Sequence, residues 1–173
     1  MGSSHKKQGK IADNNAKKAQ VFSKLVKLIQ VESKKASGDT NSPGLRVAIE
    51  RAKKENMPND TLDRAIKKGS EPGTDLQPVM FEAYGPAGIG MIITGLTDNN
   101  NRTSQEIKHI LSKNGASLGG PGSVAWNFSK NEDGEWVAGT TVKASEEDME
   151  KLSIIIDALE ETDDVQDVYT NAE

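Results

Sequence analysis

Shortages define this chain before its motifs do: it has no cysteine and only two histidines, His5 and His109. Without thiols there can be no disulfide, no cysteine zinc site, no iron–sulfur cluster and no thiol nucleophile. Neither histidine has a sequence neighbour that completes a metal or nucleophile constellation. Aromatic residues make up 4% of the sequence, so a few rings must anchor small, mainly aliphatic cores. No apolar run approaches the roughly 20 residues of a membrane span, and the N-terminus lacks the apolar segment of a secretory signal. The expectation is a soluble, intracellular protein that is not an enzyme, holds no cofactor or metal and meets no membrane. Met1-Gly-Ser-Ser-His5 resembles the opening of an expression tag, but one further histidine does not make a tag, and the segment is read as native.

What is present is charge, and it is unevenly placed. Residues 1–70 hold 16 Lys and Arg against 7 Asp and Glu, a net of +9, while the remainder holds 6 against 19, a net of −13. The whole-chain value of −4 averages away a module that attracts polyanions and one that repels them. The change of sign falls on a Gly/Pro-rich stretch, Gly69-Ser-Glu-Pro-Gly-Thr-Asp75. The reading is a domain over 1–70, a linker over 71–77 and a second domain over 78–173.

In the first domain the spacing of Val21, Phe22, Leu25, Leu28 and Ile29 predicts a helix from Asp13 to about Ser37, with Lys17, Lys24, Lys27, Lys34 and Lys35 on another side of the wheel. Ser42 followed by Pro43 opens a second helix with Leu45, Ala48, Ile49 and Ala52 inward and Arg46, Arg51, Lys53 and Lys54 outward. Asn56-Met57-Pro58 breaks it. Asn59 or Asp60 then caps a third helix through Leu62, Ala65 and Ile66, which Gly69 closes as a C-cap beside Lys67 and Lys68. The leader with Lys6, Lys7 and Lys10 is expected to be disordered alone and to fold on binding. Exposed lysines often do no more than solvate a helix, but an excess of nine charges in seventy residues favours a phosphate backbone as partner. Lysine outnumbers arginine by 13 to 3 there, which suits backbone contacts better than bidentate reading of bases.

The acidic half reads as α+β. Strands are predicted at Val79 to Tyr84 and Ile89 to Leu96 around the turn Tyr84-Gly-Pro-Ala-Gly88, then a helix from Thr103 to Lys113. Val124, Trp126 and Phe128 alternate as the inner face of a strand paired with Trp136 to Val142 across Asn131-Glu-Asp-Gly134. Ser145-Glu-Glu-Asp148 caps a long helix through Leu152, Ile155, Ile156 and Leu159, and Val165 to Tyr169 is the last strand. Without the first strand the order is βαββαβ, so the expected fold is a ferredoxin-like domain with an extra N-terminal strand, preceded by three helices. Such sheets often bind RNA through exposed aromatics, but Trp126 and Phe128 are read as buried, and the negative field opposes RNA there.

Three further motifs are weak. Asp98-Asn-Asn-Asn-Arg-Thr-Ser104 leads into a helix N-terminus that suits an anion, although Thr103 with Glu106 is equally a capping box and Arg102 a salt-bridge donor. Gly119-Gly-Pro-Gly-Ser123 lacks the Lys-Ser/Thr of a nucleotide-binding loop and reads as a bend before a strand. Asp163, Asp164 and Asp167 sit where a helix turns into a strand, a common place for carboxylates without function.

Several of these segments, in order, are familiar together: Lys53-Lys-Glu-Asn-Met-Pro-Asn-Asp60 with Arg64-Ala-Ile-Lys-Lys-Gly69, Glu82-Ala-Tyr-Gly-Pro-Ala-Gly88, Leu96-Thr-Asp-Asn-Asn-Asn-Arg-Thr103, Gly122-Ser-Val-Ala125 and Leu159-Glu-Glu-Thr-Asp-Asp-Val-Gln-Asp-Val-Tyr-Thr-Asn171. Over nearly its whole length the chain resembles the YebC family, which includes PmpR-type regulators and the mitochondrial translational activator of cytochrome oxidase. The resemblance implies a cytoplasmic, non-enzymatic protein that acts either as a DNA-binding transcription regulator or as a ribosome-associated translation factor. It further implies that the basic helical face and the Asn56-Met57-Pro58 corner meet nucleic acid, with Asn101-Arg102-Thr103 as a second motif. Two departures stand out. The family's usual Gly-His-Ser-Lys-Trp opening is replaced by Gly2-Ser-Ser-His-Lys6, and the third domain that members insert within the second is missing, because Phe128 reaches Thr141 through one short turn.

The expected interface is therefore Lys6, Lys7, Lys10, Lys17, Lys18, Lys24, Arg46, Arg51, Lys53, Lys54, Asn56, Met57, Pro58, Arg64, Lys67 and Lys68, with Asn101, Arg102 and Thr103 as the second motif. The leading expectation is a translation factor bound to ribosomal or transfer RNA, its acidic domain facing basic ribosomal proteins. A DNA-binding transcription regulator and an acidic protein-interaction module with solubilising lysines are the alternatives.

Overall fold

The computed structural model describes residues 3–73 and 75–173, with side chains from Ala16 onward. The chain forms two compact units, Met1–Thr74 and Asp75–Glu173.

The first unit is three helices: α1 (Ser3–Ala36), α2 (Pro43–Lys54) and α3 (Asn59–Ser70). Leu25 and Ile29 of α1, Leu45, Ala48 and Ala52 of α2, and Leu62 and Ala65 of α3 close one aliphatic core, with Met57 between α2 and α3. α1 begins at Ser3 rather than Asp13. No proline interrupts the leader, and its Lys, Gln and Ala residues are good helix formers. α3 starts behind Pro58, with no side-chain cap from Asn59 or Asp60, and runs through Gly69 to Ser70.

Gly69 is thus not a C-cap but a point of close approach. A Cβ there would lie 2.3 Å from the Gln30 carbonyl and 2.8 Å from Ser33 Cβ. At the same crossing Ser33, fully buried, donates its hydroxyl to the Ile66 carbonyl at 2.5 Å. The last turns of α1 and α3 are therefore locked side by side. Gly69→Ala should force them apart and destabilise the first unit by about 1–3 kcal/mol, the usual cost of overpacking, as read by its thermal midpoint.

The second unit is α+β. Strands β1 (Gln77–Tyr84) and β2 (Gly90–Thr97) form an antiparallel hairpin, followed by α4 (Asn100–Lys113), the short β3 (Ser117–Leu118), a hairpin of β4 (Phe128–Lys130) and β5 (Trp136–Ala138), α5 (Glu146–Glu160) and β6 (Val165–Thr170). The main sheet runs β3-β1-β2-β6, all neighbours antiparallel, and β4-β5 is a separate two-stranded sheet. So the α+β class holds; the extra N-terminal strand, β1, lies inside the sheet, where it also pairs with the unforeseen β3. The Trp136 hairpin lies outside it. The reason is β2, whose eight residues are buried except Thr94. Met91 and Ile93 face Ile107, Leu111, Leu152, Ile155 and Leu159 of α4 and α5, while Ile92 faces Val124 and Phe128. A strand apolar on both faces needs cover on both, and the β4-β5 hairpin supplies the second layer.

The hairpin is sealed at its base. The Asn127 side-chain amide donates to the Thr140 carbonyl at 2.7 Å and its oxygen accepts from Thr140 N–H at 2.9 Å. Trp126 does not join Val124 and Phe128 in the interior. Ala125–Asn127 forms a 3₁₀ turn instead of a strand, which breaks the alternation and leaves Trp126 76% exposed.

Candidate nucleic-acid interface

Basic side chains gather at the ends of all three helices of the first unit. The last turns carry Lys34 and Lys35 on α1, Arg51, Lys53 and Lys54 on α2, and Lys67 and Lys68 on α3. There they offset the negative end of each helix dipole. Because the α1 and α3 ends are held together by Ser33 and Gly69, Lys34, Lys35, Lys67 and Lys68 share one end of the module. The second group stands at the α2–α3 corner.

Lys17, Lys18, Arg46, Lys53, Lys54, Arg64, Lys67 and Lys68 are exposed, whereas Lys24 and Arg51 are half-buried. Lys17, Arg46, Lys53, Lys54 and Lys67 enter no ion pair among the described residues. Lys35 is paired with Glu32 at 3.3 Å, the Arg64 Nε donates to the Asp60 carbonyl at 3.2 Å, and Lys18 lies 5.8 Å over the Phe22 ring. Val31 is buried on the lysine side of α1, so that stripe is not continuous. The side chains of Lys6, Lys7 and Lys10 lie outside the described residues.

The Asn56-Met57-Pro58 corner is first of all a helix stop. Asn56 adopts a left-handed φ of 61°, its N–H donates to the Lys53 carbonyl, and Met57 N–H donates to Ala52, both at 3.0 Å. Asparagine tolerates that conformation, the residue after it returns to the helix as an apolar plug, and proline prevents continuation. Met57 is 5% exposed within the helical core. Its side chain is therefore a packing residue of the helical core rather than part of the basic surface. Met57→Ala should cost the first unit about 2–5 kcal/mol while leaving its surface charge unchanged, which chemical denaturation and RNA titration of the same variant will separate. Asn56 and Pro58 remain exposed on the rim of the basic corner.

The second motif lies in the second unit and is drawn into carboxylates. α4 starts at Asn100, capped by the Asn99 side chain on Arg102 N–H at 3.1 Å, so the capping box of Thr103 with Glu106 does not form. Thr103 is fully buried, its hydroxyl 2.8 Å from both Thr97 Oγ1 and Asp164 Oδ2. Arg102 bridges Asp98 at 2.9 Å and Asp164 at 3.1 Å. Asp164 first, then Asp98, holds its guanidinium still more firmly protonated than usual. Gly95 makes this meeting possible: a Cβ there would lie 2.5 Å from the Asp164 carbonyl, the group that accepts the Leu96 N–H. The shallow groove beside it is lined by Arg102, Glu106, Thr162, Asp163 and Asp164. With three carboxylates to one guanidinium, it is a poor seat for phosphate. Asn101 is exposed next to it.

One charged residue that the sequence did not single out governs the opposite side of the sheet. Glu82 is 7% exposed, and its carboxylate accepts N–H bonds from Gly122 at 2.6 Å, Val124 at 3.0 Å and Ala125 at 2.5 Å. Burial pushes its pKa up, but the bonds from Ala125, Gly122 and Val124 together outweigh that and leave it lowered. The available signal was a glutamate in mid-strand facing a glycine-rich bend. The bend is therefore a loop wrapped on a carboxylate.

Fold and surface together define a two-unit α+β protein with a cationic helical module and an anionic sheet unit. Its sequence matches the N-terminal domain of TACO1/YebC proteins over residues 3–72 and their second and third domains over 76–133 and 129–172. The chain belongs to the TACO1/YebC family. Among its relatives, a probable transcriptional regulatory protein of Thermosipho africanus is 35% identical over 223 aligned positions, covering 94% of this chain and 88% of the relative. One from Caldanaerobacter subterraneus subsp. tengcongensis is 37% identical over 223 positions, covering 92% and 91%. A crystal structure of a conserved hypothetical protein from Aquifex aeolicus superposes with a TM-score of 0.82 at 29% identity, covering 91% of each chain. Alignments longer than this 173-residue chain, and a family match broken at 129–133, locate the extra residues of relatives at the β4-β5 hairpin. No helix among the described residues is long and apolar enough to cross a membrane.

Proposed function

We propose that this protein is a non-enzymatic regulator of gene expression that works by binding nucleic acid through residues 1–70. The observation that carries the reading is the net charge of +9 in that module together with exposed Lys17, Arg46, Lys53, Lys54 and Lys67, which no carboxylate neutralises among the described residues. The regulatory names of relatives at about 35% identity support the general class.

Within that class we assign it to RNA, as a cytoplasmic translation factor held on the ribosome by phosphate contacts, with the acidic unit turned toward basic protein. Thirteen lysines against three arginines suit a partner recognised by its backbone rather than by base edges. The test is sedimentation with lysate through a sucrose gradient at low salt. Co-migration with ribosomes that is lost as salt rises is the expected result, and absence from ribosomal fractions at low salt rejects the assignment.

The second reading is a DNA-bound transcription regulator, favoured by relatives that are named probable transcriptional regulatory proteins. It predicts a footprint confined to one operator that survives salt, since non-specific binding falls steeply with ionic strength.

A further inference from the structure

Trp126 is the largest exposed apolar side chain of the second unit, at 76% exposure. Its ring is nevertheless oriented by a hydrogen bond. Its indole N–H donates to the Ser123 carbonyl at 2.9 Å, and the Tyr84 hydroxyl donates to the same oxygen at 3.1 Å. The loop beneath is fixed in turn by the three N–H bonds to Glu82. A ring whose orientation is already set by a hydrogen bond loses less freedom on binding than a free one, and exposed tryptophans of this kind act as anchors of interfaces.

Charge selects the partner. Residues 71–173 carry 19 Asp and Glu against 6 Lys and Arg, and Glu132, Asp133 and Glu135 stand in the hairpin turn that follows Trp126. Stacking of nucleic-acid bases on the ring would draw phosphates into that field. A cation is drawn in by the same field, and the indole face is the best aromatic partner for one. The neighbouring hairpin already makes such a contact, with Lys130 Nζ 5.2 Å from the centre of the Trp136 ring.

We propose that Trp126, with Tyr84 beside it, anchors a docking surface for a cationic segment of a partner protein, one arginine or lysine stacking on the indole within the negative field of the unit. This names the protein-facing surface of the reading above and rests on it only for that half. Nucleic-acid binding by residues 1–70 is a separate property.

The experiment uses the full chain. In a Trp136→Phe background, which leaves Trp126 as the remaining indole of the two, nonaarginine should perturb its fluorescence, while nonacitrulline and oligouridylate should not. By calorimetry Trp126→Ala should weaken nonaarginine about threefold to tenfold, Trp126→Phe less, and Lys53→Glu with Lys54→Glu should not weaken it. The last pair, measured with RNA as well, separates failure of this surface from failure of the basic module. Equal nonaarginine affinity in Trp126→Ala overturns the proposal, and so does an oligouridylate response that needs Trp126.

Discussion

Replacing Glu82 with alanine is expected to destabilise the second unit by about 2–4 kcal/mol, the largest single effect anticipated for one side chain outside its aliphatic core. The substitution removes the acceptor of three backbone donors at Gly122, Val124 and Ala125 at once. The Val124 N–H is buried and would cost about 1–3 kcal/mol unpaired, while those of Gly122 and Ala125 are partly exposed and cost less. Glu82→Gln keeps an oxygen but turns an amide toward the same donors, so it should fall between. Equilibrium denaturation gives the size, and hydrogen exchange at Gly122, Val124 and Ala125 gives the place.

The acid dependence follows from the direction of the Glu82 shift. The folded carboxyl is held below its ordinary value of 4.5, because the three N–H bonds outweigh desolvation. Its stabilisation is therefore complete above 4.5 and is lost as the pH falls through the lower folded value. Stability of Glu82→Gln should lack that component in the same acid window. Were the two curves parallel there, the carboxylate would not be what holds the loop.

The second large effect is on binding. Reversing Lys17, Lys18, Lys53 and Lys54 to glutamate should lower affinity for polynucleotide by roughly a hundredfold to a thousandfold at 0.1 M salt. It should also flatten the logarithmic salt dependence by about 3, since each phosphate contact contributes about 0.7–0.9 to that slope. All four side chains are exposed, so the fold should persist, at a stability cost of about 1–2 kcal/mol from acid at the C-terminal end of α2. Undiminished affinity in this variant rejects the basic module as the binding surface. A smaller loss with an unchanged slope would place the contacts at the other basic group, around Lys67.

The helical unit was legible because its signals are local. Apolar spacing, Ser42-Pro43 and the Asn56-Met57-Pro58 stop are read within one turn of chain, and α2, α3 and the end of α1 lie close to their expected places, whereas α1 starts ten residues early, at Ser3. What escaped notice depends on partners far away in sequence. Gly69 reads as a terminator until Gln30 and Ser33 are seen against it. Glu82 is an ordinary strand residue until its donors arrive from forty positions on. Strand order is the same kind of property: β1 pairs with both β2 and β3, and no local pattern announces that the Trp136 hairpin will form a layer of its own. Trp126 departs from the burial that alternation implies because alternation assumes a strand, and a 3₁₀ turn rotates the side chain outward.

The sealed neck at Asn127 and Thr140 lets the interior form without the additional residues that its relatives carry. Two side-chain bonds and the Gly139 N–H to the Asn127 carbonyl close the chain on itself before the turn begins, so Phe128 and the layer under β2 are secured whatever lies beyond. Chain length past such a closure changes the entropy of the loop only logarithmically. The hairpin thus behaves as a splice point, where a cassette of residues can be gained or shed in evolution without renegotiating the interior, and where a reporter domain could be grafted in the laboratory.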